Sequence, residues 1–458
     1  RFQTSWDTEL WPLSIVETAL EDNRILCLNF ATHAGVDVAE LKLDSLRLHL
    51  SGDFMTTMPL HDMLVANLER IEIADSSGKR LAVIPLKQLV EVGYAPDDQV
   101  LPSKGNIHPA FNLLQEYFSF PAKFLFFDLK GLAGRLGQGN GFTIKFAFKS
   151  AVKVLASVNK NTFKIGCVPI INLFPKTSEP ITFERRDHEY LLVPDHHKET
   201  SHEIHSIEAL IASDPEAEQP QMVSNLFAAE RFMDGGQEMY WTSRREQSLR
   251  PGMSGSDVFI SFVDRTNISK TPAEPVLFAK LMCTNRKMAE LVPSGARLIG
   301  ESISSSIQVS NLYEPVSQKD ALTSSKSVFS LIEILRLNHH SLIEDGKGAE
   351  KLRQLLFLFA GEAAKNQSQV RGIKSLRAKP SIARIGRETW RGHCVGNDIW
   401  LDLDEEAFVG GSTLIFAGVL ARFFALYTTA NSYTRLGLMR NGEVRRVWSP
   451  MAGWQCLI

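Results

Sequence analysis

A chain of 458 residues with 44% hydrophobic content is long enough for about three domains, each with a core of its own. Lys plus Arg number 50 and Asp plus Glu 52, and the net charge of -2 argues against general binding to nucleic acid or anionic membranes. Five widely spaced cysteines without a C-x-x-C pair indicate a reducing compartment. The start of the chain lacks the apolar run of an export signal, so we expect either no signal or a chain that begins partway through a longer protein.

The first portion of the sequence mixes strands with short helices. Leucine alternates with polar residues over 46–50, which predicts a half-buried strand, and further strands are expected over 70–74 and 80–84. Seven aromatic rings lie between Phe111 and Phe127, where Pro121 divides a predicted helix from a predicted strand. This density of rings predicts a core or an interface.

The last portion has the clearest periodicity. Apolar residues follow one helical face over 352–363, and alternation predicts a strand over 397–403. The apolar segment 410–430 carries Arg422 near its middle, and its uncharged stretch is too short to span a bilayer comfortably. We therefore expect a buried helix, apolar on two sides, between protein layers or against a partner.

The predicted fold class is α+β with several domains. An acidic, proline-containing stretch at 214–221 reads as an exposed loop, and a polar stretch at 318–326 indicates a boundary. The predicted domains are a β-rich domain with short helices over 1–175, a second β-rich domain over 176–325, and a C-terminal α+β domain over 326–458.

The strongest candidate for a metal site is the histidine-rich stretch 196–205. His196, His202 and His205, with Glu203 as an acid, could serve a metal-dependent hydrolase, because neutral imidazoles bind zinc well. The spacing is not the H-E-x-x-H of zinc proteases, so a solvated loop between strands is the favoured interpretation.

Other possible sites are better explained by structure. The carboxylates over 402–406 suit a strand followed by an acidic helix start, and the glycines over 131–141 lack the spacing of a phosphate loop. Ser254 lies between glycines but lacks the G-x-S-x-G spacing, so we expect a turn. The sequence therefore predicts no catalytic residue and no cofactor.

Four stretches together resemble one protein family, the TssF baseplate subunits of bacterial type VI secretion. They are Leu113–Phe127 (LLQEYFSFPAKFLFF), Cys167–Ile181 (CVPIINLFPKTSEPI), Leu281–Arg286 (LMCTNR) and Phe423–Arg435 (FFALYTTANSYTR). The opening Phe2–Leu13 also fits, and the stretches keep the family's order over nearly the whole chain. An N-terminal region that precedes this opening in the family is expected to be absent here.

The resemblance implies a structural scaffold and no enzyme. Family members are similar to wedge proteins of contractile phage baseplates. In the wedge, two TssF copies with one TssG join TssK and TssE, surround the VgrG hub and seat the contractile sheath. The implied location is cytoplasmic, held at the inner membrane through the secretion complex. Neither insertion into the membrane nor nucleic-acid binding is implied.

The dense aromatic stretch and the apolar helix supply the predicted interface residues. These are Tyr117, Phe118, Phe120, Phe124, Phe416, Leu420, Phe423, Phe424 and Tyr427. A core role for the same residues stays open, because a core stripe and a subunit seam have the same pattern. A further hypothesis, a carbohydrate-binding module in the β-rich first portion, would need Tyr117 and Phe118 in an open groove.

Overall fold

The chain packs into two compact units. The larger unit comprises residues 4–169 and 333–458, and the middle unit comprises residues 1–3 and 170–332. The computed structural model describes residues 1–102, 109–151, 153–182, 188–213, 221–227, 239–264, 276–301, 303–304, 306–321, 329, 332, 347–385, 393–440 and 442–453.

The N-terminal part of the larger unit contains two antiparallel sheets. The first has the spatial order β2 (Leu13–Glu21), β3 (Ile25–Thr32), β9 (Gly141–Phe148), β5 (Leu68–Asp75) and β6 (Arg80–Ile84). The second has the order β10 (Phe163–Lys164), β4 (Ser45–Leu50), β8 (Phe126–Lys130) and β7 (Leu89–Glu91). The short strand β1 is Gln3–Thr4. Three expected strands, 46–50, 70–74 and 80–84, are thus confirmed.

The C-terminal part of the larger unit adds a third sheet. Its order is β22 (Ile373–Arg384), β23 (His393–Leu403), β24 (Tyr433–Arg440) and β25 (Glu443–Val447), with β26 (Met451–Ala452) also on β24. The strands β23 and β24 run parallel, and the long helix of this part connects them. A parallel pair requires such a crossover connection.

Five α-helices pack among these sheets in the described part of the larger unit. They are α1 (Phe54–Ala66), α2 (Pro109–Ser119), α3 (Gly348–Ala360), α4 (Ala364–Arg371) and α5 (Thr413–Leu426). The side chain of Ser412 accepts a hydrogen bond from the Ile415 amide and begins α5, because a serine oxygen satisfies a free amide of the first turn. One hydrophobic core joins residues from both parts, from Leu13 to Trp448.

Short 3-10 segments connect several of these elements. They are Val38–Glu40, Leu86–Gln88, Pro96–Asp98, Pro121–Leu125, Lys153–Ser157 and Glu405–Phe408 in the larger unit, and Glu199–Ser201 and Arg286–Leu291 in the middle unit. Pro121 separates α2 from the segment that leads into β8, as the sequence predicts. The connection between β8 and β9 contains four glycines with positive φ, Gly131, Gly134, Gly137 and Gly139.

The middle unit is built almost entirely from strands in its described part. Its large sheet has the order β12 (Phe174–Thr177), β19 (Val276–Thr284), β15 (Glu203–Ser213), β16 (Gln221–Asn225), β17 (Met239–Gln247), β18 (Ser256–Asp264) and β14 (Tyr190–Leu191), with β13 (Ile181–Thr182) on β19. Shorter strands are β11 (Ile170–Ile171), β20 (Arg297–Leu298) and β21 (Val309–Ser310). A separate hydrophobic cluster fills this unit.

The architecture is therefore α+β, as predicted. The expected helices over 352–363 and 410–430 and the strand over 397–403 correspond to α3, α5 and β23. The division at 175 and 325 stays a prediction, but the first and last predicted domains contribute to one shared core. The loop expected at 214–221 lies outside the described residues except for Gln221, which begins β16, and part of the boundary at 318–326 also lies outside them.

We predict that Phe416→Ala lowers the free energy of unfolding by about 3–5 kcal/mol, because the fully buried ring would leave a cavity. Urea unfolding of the full chain measures this change. The control is Val409→Ala, whose side chain is 65% exposed and which should change stability by less than about 0.5 kcal/mol. Equal effects of the two substitutions would contradict the packing described for α5.

Candidate functional site

The nine residues predicted as an interface lie in or beside the core of the larger unit. Eight of them are buried, and Phe120 is half-buried. A side chain that its own chain covers offers little surface to a partner, so the visible role of the eight is packing. Their assignment to a subunit interface stays a prediction. Tyr117 and Phe118 do not lie in an open groove, which removes the support that a carbohydrate-binding module would need.

Aromatic rings join α5 to α2. The Phe416 ring centroid lies 5.4 Å from that of Tyr117 and 6.5 Å from that of Phe118. Further along α5, the Phe423 ring lies 6.1 Å from Phe111 and 5.6 Å from Tyr427. The helix also packs on β24, so it is sandwiched between α2 and a sheet. From the sequence we expected this helix to lie either between layers of its own chain or against a partner, and the structure has the first arrangement.

A buried ion pair lies at the end of α2. The Lys123 side chain is 0% exposed and Glu116 is 2% exposed, and the ammonium donates to Glu116 Oε2. Glu116 Oε1 also accepts the amides of Val100 and Leu101, both at 2.7 Å. Burial lowers the pKa of Lys123 and the negative charge of Glu116 opposes that shift. Glu116 and Lys123 lie on either side of Pro121, so their ion pair holds the two segments together. Separating them would leave each buried charge without its counter-charge, which is unfavourable.

A second polar cluster joins α1, β7, α5 and β25. Arg446 donates to Glu91 Oε2 at 2.7 Å, and the His61 Nε2 atom lies 3.8 Å from Glu91 Oε1. Burial opposes ionisation of Glu91, but the charge and the hydrogen bond of Arg446, together with the other nearby charges, outweigh burial and hold the pKa of the carboxyl below its usual range. Arg422 lies 3.8 Å from the centre of the Tyr94 ring. The charge that argued against a membrane helix is therefore held against an aromatic ring within the protein.

Two histidines of the histidine-rich stretch 196–205 have separate partners in the structure. His196 is exposed, with Nδ1 at 3.3 Å from Glu199 Oε1. His202 packs against Phe174 with ring centroids 5.1 Å apart, and its Nδ1 lies 3.2 Å from the Lys198 carbonyl. Over the residues that the structure describes, no group of three or more His, Cys, Asp or Glu side chains could hold a metal ion.

Glu203, the acid of the hydrolase hypothesis, lies inside the middle unit. Its Oε1 accepts both the amide and the hydroxyl of Ser256 at 2.7 Å, and its Oε2 accepts the Gln318 amide at 2.7 Å. The Arg286 guanidinium lies 3.9 Å from Oε2. These contacts leave the carboxylate engaged in the fold rather than facing an open site.

Arg286 ties three loops of the middle unit together. Its Nε donates to the carbonyls of Glu199 and His202 at 3.2 and 3.1 Å, and its Nη1 donates to the Ser254 carbonyl. The residue has a φ of 50°, a conformation that is costly for a residue with a long side chain. Ser254 belongs to the predicted turn, which includes positive φ at Gly252 and Gly255.

The four stretches that carried the family resemblance lie on two pairs of neighbouring elements. In the middle unit β12 and β19 place Phe174 opposite Cys283, and Asn172 and Asn285 exchange hydrogen bonds of 2.7 and 2.9 Å. These contacts join the stretch 167–181 to the stretch 281–286. In the larger unit, the Tyr117–Phe416 and Phe111–Phe423 ring contacts pack α2, which contains the start of 113–127, against α5, which contains the start of 423–435.

The cysteines and the carboxylates over 402–406 have ordinary structural surroundings in the described residues. Cys27, Cys167, Cys283 and Cys394 are free thiols, and Cys456 lies outside the described residues. Glu405 of the carboxylate run pairs with Arg445 at 2.9 Å and with Arg440 at 2.9 Å. Within the described part of the chain, no helix is both long enough and apolar enough to cross a membrane.

The buried ion pair, the Glu91 cluster and one basic strand were not predicted from the sequence. A charged residue inside an apolar run, such as Lys123 between Phe120 and Phe124, was the available signal for the first. The basic strand is β22, whose charge disappears in the average over the whole chain. A count of charge over short windows would have found it.

The chain matches the family described as "Type VI secretion system, TssF" over residues 1–455. A curated relative, the type VI secretion system component TssF1 of Pseudomonas aeruginosa, is 28% identical over an alignment of 489 residues, which covers 99% of this chain and 78% of the relative.

Two solved structures have a similar fold. A chain of the TssK-TssF-TssG baseplate subcomplex of the type VI secretion system gives a TM-score of 0.78 at 22% identity, over 99% of this chain and 84% of that one. A chain of the type VI baseplate complex gives 0.53 at 16% identity, over 100% and 85%.

The chain is an α+β protein of two units, and the polar clusters described above are engaged in its own packing. The match along nearly the whole sequence makes the family plain: the chain belongs to the TssF family of type VI secretion system proteins. The resemblance stated from the sequence is thereby confirmed.

We predict that Glu116→Gln lowers the free energy of unfolding by about 3–5 kcal/mol, because the Lys123 ammonium would stay buried without its counter-charge. Lys123→Met should cost less, since Glu116 keeps the Val100 and Leu101 amides as partners. Urea unfolding of both variants tests the order. A larger loss in Lys123→Met than in Glu116→Gln would contradict it.

His49 should make stability depend on pH. Burial lowers its pKa to about 3, against about 6.5 in the unfolded chain. The unfolded state therefore binds more protons between these values, and stability falls as pH decreases from about 6.5 towards 3, by up to about 1.4 kcal/mol per pH unit.

The variant His49→Phe keeps a ring beside Phe126 and removes this titration; the His49 and Phe126 rings lie 4.2 Å apart. From pH 7.5 to 5.0 we expect it to lose roughly 2 kcal/mol less stability than the natural chain. Urea unfolding at both values measures the difference, and between pH 7.5 and 8.5 the two proteins should change in parallel. An equal loss at pH 5.0 would contradict the burial of a neutral His49.

Proposed function

We propose that this chain is a non-catalytic structural subunit of the type VI secretion baseplate wedge. It assembles with TssG and TssK, with two copies of the chain for each TssG, and the wedges join TssE, surround the VgrG hub and seat the contractile sheath. The single observation that supports the proposal most is the similarity of 99% of this chain, at a TM-score of 0.78, to a chain from a TssK-TssF-TssG baseplate subcomplex.

The chemistry of the described residues agrees with a structural role. Glu203, the acid that a hydrolase would need, is held by Ser256 and Gln318, and the neighbouring histidines have separate partners. Aromatic side chains instead pack α2 against α5. The proposal therefore includes no enzymatic activity and no cofactor, with a cytoplasmic location at the inner membrane through the secretion complex.

The nine predicted interface residues have a supporting role in the proposed assembly. Because Phe416, Phe423 and their neighbours are covered by their own chain, we infer that they support the partner-binding surfaces rather than form them. A scaffold that binds several partners benefits from a rigid core. A flexible binding surface loses conformational entropy when it becomes ordered in the complex, and this loss weakens binding.

The test is a clean deletion of the gene for this chain in its own bacterium. We expect loss of type VI secretion and of sheath assembly, with both restored by the natural gene. Tagged full-length protein from the restored strain should co-purify with TssG and TssK, at two copies for each TssG. Secretion that persists in the deletion strain, or a chain that purifies without TssG, would overturn the proposal.

Metal analysis separates the hydrolase hypothesis from the scaffold. Protein purified without added zinc should contain far less than one metal ion per chain, and His202→Ala should restore secretion as the natural gene does. A stoichiometric metal that disappears in His202→Ala, together with loss of function, would favour the hydrolase.

A further inference from the structure

Strand β22 carries a concentration of positive charge that contrasts with the whole chain. Its residues Ile373–Arg384 include four Lys or Arg and no acidic residue, in a protein whose net charge is -2. All four are exposed: Lys374, Arg377, Lys379 and Arg384. Such a local excess on one element favours an acidic partner.

The strand lies at an edge of the C-terminal sheet. It pairs with β23 along 373–384, and in the described part of the chain no strand pairs with its other side. The outward amides and carbonyls of an edge strand can therefore bind another extended segment. Pro380 removes one donor from this edge and leaves the remaining groups in place.

Two of the positive charges have no counter-ion among the described residues. Arg377 and Lys379 are two residues apart and thus share one face of the sheet. Lys379 lies opposite Asp398 in the register, but that carboxylate is already bound by Arg435, with Nε at 2.9 Å. Lys374, by contrast, pairs with Asp404 at 3.2 Å.

An apolar contact lies on the opposite face of the same hairpin. Ile382 and Val395 are direct partners in the register, and they are 65% and 64% exposed. Cross-strand pairs of β-branched residues stabilise a sheet when other side chains bury them. No side chain of the described residues buries this pair, which leaves an apolar patch on the surface. It would pack one apolar side chain of a bound segment.

A protected edge is the simplest competing explanation. Lysine and proline on edge strands prevent unwanted pairing, which accounts for Lys379 and Pro380. It does not account for the exposed Ile382–Val395 pair, because a protected edge avoids apolar surface. Nucleic acid would explain the charge but not an apolar pair between β-branched residues.

We propose that β22 binds an extended acidic segment of a neighbouring protein subunit by strand addition. Carboxylates of that segment pair with Arg377 and Lys379, main-chain hydrogen bonds form along the open edge, and an apolar side chain packs on Ile382 and Val395. The inference rests on the proposed function, because it requires a neighbouring subunit in the assembly.

The test uses a photo-crosslinking amino acid at Ser381, which lies on the same face as Lys379, in full-length chain expressed in the deletion strain. We expect crosslinks to an acidic extended segment of another protein subunit, identified by mass spectrometry. The double variant R377E/K379E should reduce the crosslink yield at least fivefold. The matched control K42E/K87E changes the net charge equally at two exposed sites of the same unit and should stay within twofold.

Three results would overturn the inference. These are no crosslink above that of a probe at Lys42, a crosslink to lipid, nucleic acid or a segment without acidic residues, or an equal yield in the two double variants. Equal thermal unfolding of the variants excludes misfolding as the cause of a loss. If the natural chain restores secretion while the crosslink fails, the strand-addition inference falls and the proposed function stands. If the natural chain restores no secretion, the proposed function falls.

Discussion

The structure depends on one packing constraint, the burial of α5 between α2 and the C-terminal sheet. These elements come from parts of the sequence separated by the whole middle unit, so the larger unit has no complete core until both parts are present. The rings of Phe416 and Phe423 contact the rings of Tyr117 and Phe111 on α2. Aromatic contacts of this size dominate core energetics, which makes the junction between the two parts strong.

Charged groups reinforce the same junction. Arg446 of the C-terminal sheet reaches Glu91 of the N-terminal part, and Arg422 of α5 lies over Tyr94. A misplaced partner would leave a buried charge without compensation, and such a charge strongly destabilises the fold. The middle unit uses the same principle on a smaller scale, with Arg286, Glu203 and the pair of asparagines at 172 and 285 joining its loops.

Local patterns in the sequence predicted elements well and long-range packing poorly. The leucine alternation at 46–50 and the two-sided apolar helix at 410–430 predicted β4 and α5, because periodicity follows from secondary structure alone. The shared core of 4–169 and 333–458 could not be read from any window, since it depends on which surfaces meet. The role of Phe416 was left open for the same reason. The basic strand β22 was missed because positive and negative charges cancel in the average.

The division of one core between the two ends of the chain has a consequence for synthesis. A ribosome that has produced residues 4–169 has released α2 without its aromatic counterpart, and more than two hundred further residues must be translated before α5 leaves the exit tunnel. During that interval the nascent N-terminal part exposes rings that only the last portion can cover, which makes it a client for chaperones. A product that ends before α5 would leave the α2 rings uncovered, and exposed hydrophobic surface of this kind promotes aggregation of incomplete chains.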